Sequence, residues 1–361
     1  MALPRINRPP LSLLHFLKAR KREWALSIFS TAATLLFCLG LIEIYFWNKN
    51  SDAWVAPHTV FDAERGWSNA VNARTVHEGI TYTTNSLGFR SAEINPAKEH
   101  ILILGDSVAY GAGVNDDENV SYYLNQRMPG YQVLNLAVMG YGIGQYYLTL
   151  KKFIRQTRPR HVVVILYTVN DLADTRSDQM FGASKPLFVI DNGRLTPIRK
   201  TVSRFSCMNL ISKSWTLRHF SPEKLRKRFC DSTAWDKSAA WALVFDLLEK
   251  IHDLALQHGA RPLFVLSPSL MGVKWTACQL QGNPGSCRNV DQGYSGSYQS
   301  FLNRFRKSRF PYLDYNNVLL ALSQKGDIGR LYNKGGKDIH HYSPPGNRVL
   351  ADTIAGYLQA P

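Results

Sequence analysis

Cysteine and acidic residues are both scarce in this chain. Five cysteines occur in 361 residues, and no two stand in a C-x-x-C spacing. That absence argues against a zinc site. Asp and Glu number 27 against 43 Lys and Arg, a formal net charge of +16. No internal repeat or low-complexity tract occurs either, so a solenoid or repeat array is not expected. What remains is an ordinary globular composition, 45% hydrophobic and 19% charged, enough for one large domain or two modest ones.

One hydrophobic run is long. Trp24 to Trp47 is almost wholly apolar and follows Arg5, Arg8, Lys18, Arg20, Lys21 and Arg22. About 20 apolar residues cross a bilayer, and the basic flank predicts a cytoplasmic N-terminus. The expected organisation is a basic segment 1–23, a transmembrane signal anchor 24–47, an extracytoplasmic linker and strand-turn segment 48–97, and one large domain 98–361. A cleaved signal peptide is the alternative, but its apolar region would be shorter. The exported part keeps 37 basic and 25 acidic residues, a net +12. That balance suits anionic surfaces or acidic polysaccharide, although solvated helix faces and a juxtamembrane contact are the commoner source of such charge, and export makes nucleic acid an improbable partner. Cys207, Cys230, Cys278 and Cys287 lie beyond the anchor. Four cysteines allow three pairings, of which 207–230 and 278–287 close the shortest loops.

From residue 98 the pattern alternates. "HILILG", "YQVLNLAVMG", "RHVVVILYTVND", "RPLFVLSPS" and "FPYLDYNN" read as strands, with helical stretches between them. Strands apolar on both faces imply a parallel sheet covered by helices, a three-layer α/β/α domain. Residues 172–233 interrupt it as an insertion, with a hairpin signal at Asn192-Gly193.

Ligands of such sheets bind at the carboxyl ends of the strands. Ser107 follows the first strand, Gly140 the second, and Asn170-Asp171 the third; Asp338 and His341 precede the last helix. A serine hydroxyl needs a base, and an imidazole base needs an acceptor that fixes its tautomer. His341 and Asp338 can supply both, and the backbone of Ser107 and Gly140 with the Asn170 amide can supply oxyanion donors. Singly, Ser107 reads as well as a helix cap, and His340 competes with His341 for the base.

The blocks "ILGDSVAYG", "NLAVMGYG", "YTVND" and "DIHHYSPPG" together resemble the SGNH (GDSL-type) hydrolase superfamily, in a membrane-anchored bacterial branch. The resemblance implies a flavodoxin-like fold and cofactor-free ester hydrolysis, with Ser107 as nucleophile, His341 as base and Asp338 as its partner. Ser107, Gly140 and Asn170 would form the oxyanion hole. Thr168 stands where the third block usually has glycine, and Ala137 where many relatives have another. The expected substrate is an O-acyl ester, with acetyl groups on envelope polysaccharide in first place. A polysaccharide O-acyltransferase using the same triad is the first alternative. A glycan-binding module without chemistry is the second.

Overall fold

The structure, a computed structural model, describes residues 11–49, 58–180, 183–192, 194–198, 202, 237–280, 287 and 292–360. The chain divides into two units, 1–51 with 210–222, and 52–209 with 223–361. In the first, helix α1 (Leu11–Lys49) is continuous. Its 23-residue stretch Glu23–Tyr45 is long and apolar enough to cross a membrane. Side chains such as Trp24, Phe29 and Leu36 are exposed around it. A helix that is apolar on all sides is suited to lipid.

The second unit begins with two short antiparallel hairpins, β1 (Thr59–Asp62) with β2 (Gly66–Asn69), and β3 (Arg74–His77) with β4 (Ile80–Thr83). Then come β5 (Glu99–Gly105), α2 (Ser107–Tyr110), α3 (Val120–Arg127), β6 (Tyr131–Asn135), α4 (Ile143–Thr157), β7 (Pro159–Tyr167) and α5 (Asp171–Arg176). The insertion contributes two hairpins, β8 (Gln179–Met180) with β9 (Ala183–Ser184), and β10 (Phe188–Asp191) with β11 (Arg194–Pro197). Asn192 takes a left-handed φ of 49° at the tip of the latter, as an Asn-Gly turn requires. Cys207 and Cys230 fall outside the described residues. The chain continues through α6 (Lys237–Gln257), β12 (Arg261–Ser267), α7 (Leu270–Leu280), α8 (Gln292–Phe305), β13 (Tyr312–Asp314), α9 (Tyr315–Ser323), the short α10 (Asn333–Gly336) and α11 (Pro344–Gln359). Cys278 and Cys287 form a disulfide.

Strands β5, β6, β7, β12 and β13 make one parallel sheet in the order β13-β12-β7-β5-β6. Numbered along the chain this is 2-1-3-4-5, the flavodoxin-like order. Successive strand side chains point to opposite faces. Leu102 and Leu104 therefore join one buried cluster with residues of α4, α6 and α8, including Leu150, Leu247 and Phe301. Ile101 and Ile103 join the other, with Leu124 of α3, Val273 of α7 and Leu350 of α11. The apolar strands are apolar because both faces are covered. The order reverses between β5 and β7, and the chain leaves both strands at the same edge.

Candidate active site

At the end of β5 the chain must turn sharply. A Cβ on Gly105 would lie 2.4 Å from the Ala109 Cβ and 2.9 Å from the Ile165 carbonyl oxygen, so only glycine fits this approach. Asp106 then caps α2, its Oδ1 accepting the Val108 N–H at 2.9 Å. The cap is therefore the aspartate, and the Ser107 hydroxyl is left for another partner.

That partner is His341. Its Nε2 lies 2.9 Å from Ser107 Oγ, and its Nδ1 lies 2.9 Å from Asp338 Oδ2. The second carboxylate oxygen, Oδ1, accepts the backbone N–H groups of His340 and His341 at 3.0 and 3.3 Å. Partial burial pushes the Asp338 pKa up, but the hydrogen bond and charge of His341 outweigh it and hold the value at about 2. A carboxylate at Nδ1 fixes the proton there and turns the Nε2 lone pair toward Ser107. Of the two adjacent histidines, His340 instead meets the Tyr167 hydroxyl, with its Nδ1 at 2.6 Å. Burial, and then the neighbouring His341, lower its pKa.

Asn170 lies beyond the end of β7, next to β5 in the sheet. It precedes α5 without capping it, and its Nδ2 donates to Asp106 Oδ2 at 3.0 Å. Asp106 is completely buried, which raises its pKa against the opposing hydrogen bonds from Asn170 and Val108. Gly140 has a φ of 76°, a left-handed conformation in which a side chain would be strained. Among the described residues no backbone carbonyl accepts the N–H of Ser107 or of Gly140. Thr168, where the resemblance led one to look for glycine, is buried and ties β7 to β12 through N–H and Oγ1 bonds to the Ser267 carbonyl, 3.1 and 3.2 Å. Ala137 is buried as well, and its carbonyl accepts the Asn69 amide at 3.2 Å.

The residues before the sheet support this edge in ways the sequence did not reveal. Trp67 Nε1 donates to the Met139 carbonyl at 2.9 Å, and the Tyr141 hydroxyl donates to the Trp67 carbonyl, so Gly140 is braced on both sides. Arg90 reaches under the turn that carries Ser107. Its guanidinium donates to the carbonyls of Tyr110, Gly111, Thr81 and Val114 and to the Asp116 carboxylate, at 2.7–3.1 Å. Its charge also lies 4.5 and 5.0 Å from the ring centres of Tyr82 and Tyr110. Backbone acceptors of this kind leave no trace in a sequence.

Next to Asn170 lies a set of buried ionisable side chains. The Tyr146 hydroxyl donates to Asp171 Oδ1 at 2.7 Å, and burial raises the Asp171 pKa well above the usual carboxylate range. Burial also lifts Asp174 to about 6, against the pull of Lys185, itself buried and lowered. Among the described residues no cluster of three or more His, Cys, Asp or Glu is arranged to hold a metal.

Comparison of the sequence with protein-family models and with curated proteins finds no match. Solved structures with a similar course of chain include an α/β hydrolase enzyme from the metagenome of Lake Arreo. It is 12% identical with a TM-score of 0.43, the likeness covering 73% of this chain and 98% of that one. A member of the lipolytic protein G-D-S-L family from Veillonella parvula is 11% identical with a TM-score of 0.41, covering 73% and 100%. An acetyl xylan esterase is 12% identical with a TM-score of 0.40, covering 72% and 99%.

Proposed function

We propose that this chain is a membrane-anchored serine ester hydrolase of the SGNH type, acting on O-acyl esters outside the cytoplasm. The observation that carries the reading is the line of two 2.9 Å hydrogen bonds from Asp338 through His341 to Ser107, at the carboxyl edge of the sheet. Ser107 Oγ attacks the ester carbonyl while His341 Nε2 takes its proton. The backbone N–H groups of Ser107 and Gly140 and the Asn170 amide stabilise the oxyanion. Collapse breaks the bond to the alcohol, which leaves with the proton from His341, and an acyl group remains on Ser107. Water, deprotonated by the same histidine, then releases the acid.

The basic residues before the apolar helix support a cytoplasmic N-terminus and an outward-facing domain. That location and the resemblance of the sequence blocks favour acetyl esters of envelope polysaccharide as substrate. The test is hydrolysis of p-nitrophenyl acetate by the full chain in detergent, compared with Ser107→Ala. Turnover by the parent that vanishes in the variant is expected. Equal background rates in both would overturn the reading, and acyl transfer to an added glycan outrunning hydrolysis would reassign the triad to transfer.

A further inference from the structure

We propose that Asn333 is a positioning residue that sets the Asp338–His341 loop in register with the Ser107 turn; the inference rests on the hydrolytic reading above. Ser107 and His341 are 234 residues apart in the chain, so their 2.9 Å contact depends on how two separate segments dock. Asn333 touches both. Its backbone N–H donates to the His341 carbonyl at 2.9 Å, and its carbonyl accepts the Asp338 N–H at 3.3 Å. Its side-chain Nδ2 donates to the Ala112 carbonyl at 3.0 Å, across 221 residues of sequence. The Ala112 N–H in turn donates to the Ser107 carbonyl at 3.0 Å.

The segment carrying His341 is itself fixed as a unit. Tyr332 and Tyr342 form an antiparallel bridge, and the Ser343 N–H donates to the Leu331 carbonyl at 3.0 Å. The Asn333 amide therefore transmits the position of a stiff loop, not of a single side chain. Gly113 is shaped to admit it: φ is +81°, and a Cβ there would lie 2.5 Å from Asn333 Nδ2. Asn333 is buried, so its amide has no water to fall back on. A shift of about 1 Å between reacting groups can cost on the order of a hundredfold in rate.

The experiment measures phosphonylation of the full chain in detergent by a fluorophosphonate probe. Ser107 Oγ bonds to phosphorus, fluoride leaves, and His341 takes the hydroxyl proton. The parent is compared with Asn333→Ala, Asn333→Asp and Gly113→Ala, each below its own melting temperature. Labelling and the kcat for p-nitrophenyl acetate are expected to fall roughly ten- to a hundredfold in all three. KM should stay within about threefold, a split that general loosening of the fold would not produce. Folded Asn333 variants that label at the parent rate would overturn the proposal. If those variants do not fold, labelling of Gly113→Ala at the parent rate would overturn it, since that change presses on the same contact from the other side. A parent that is not labelled at all would overturn the hydrolytic reading and this proposal with it.

Discussion

Asp106 Oδ2 lies 3.0 Å from Asn170 Nδ2, joining the residue before Ser107 to the loop after the neighbouring strand. The contact crosses the point where the strand order reverses, between β5 and β7. One carboxylate thus caps α2 with one oxygen and orients Asn170, the proposed oxyanion donor, with the other.

Replacing Asp106 by Asn separates these two tasks. Its amide oxygen can still accept the Val108 N–H, but its NH2 group then faces the NH2 group of Asn170. Loss of one oxyanion donor costs on the order of a hundredfold in kcat elsewhere. Asp106→Asn is expected to lose kcat toward that size while its melting temperature changes by only a few degrees. A variant with the parent kcat would sever Asn170 from this role.

The low pKa of Asp338 shapes the acid side of the rate profile. With a value of about 2, it stays ionised throughout pH 4–5 and adds no step of its own to the acid limb there. The logarithm of kcat/KM should therefore fall with a slope no greater than one as pH drops through that interval. Asp338→Asn is expected to lower kcat on the order of a thousandfold or more. A slope of two in the parent would count against the assignment.

Arg90 bears on stability more than on rate. All five of its N–H donors are used, and its side chain is only 1% exposed. Lysine has three donors, so Arg90→Lys leaves at least two acceptors unmatched and is expected to destabilise by roughly 2–4 kcal/mol. The denaturant midpoint should fall with its slope unchanged. Arg309→Ala provides the contrast: Arg309 bonds Glu249 and Asp253 but is 60% exposed, and its loss should barely move the midpoint. Equal shifts in the two variants would show that the network beneath the turn carries no special weight.

Asp174 gives the folded state a pH dependence of definite sign. Burial raises its pKa from 3.8 to about 6. Between those values the folded chain holds the proton more tightly than the unfolded chain, so stability falls as pH rises from about 4 to 6. Above about 6 that contribution is flat. Asp174→Asn removes it, so urea titrations at a series of pH values should give a shallower decline for the variant. Parallel curves for parent and variant would show that Asp174 titrates normally.

The strands were legible because burial on both faces leaves a signature that polar side chains cannot imitate. "HILILG" corresponds to β5 almost to the residue, and "RHVVVILYTVND" to β7 except for its last four residues, which lie beyond the strand. Ser107, Gly140, Asn170 and the 338–341 loop could be sought at one edge because a parallel sheet has only one carboxyl end. The hairpin β1–β2 was not legible, since its strands are four residues long and show no strict alternation. Nor were the roles of Trp67, Arg90 and Asn333, whose partners are largely main-chain carbonyls. A carbonyl is present at every residue, so a side chain that seeks one reveals nothing about where it will find it.

The C-terminal helix α11 packs on α3 through a bond from Arg127 to Asp352 at 2.5 Å and the guanidinium of Arg348 over Tyr123. It also follows directly on the loop that brings His341 to Ser107. During synthesis Ser107 therefore emerges some 230 residues ahead of His341, the base of the proposed triad. Until the last segment of the chain has docked, a nascent or truncated molecule carries Ser107 as an ordinary hydroxyl. On the proposed reading, reactivity is withheld by the order of translation itself, and arrives only with the finished fold.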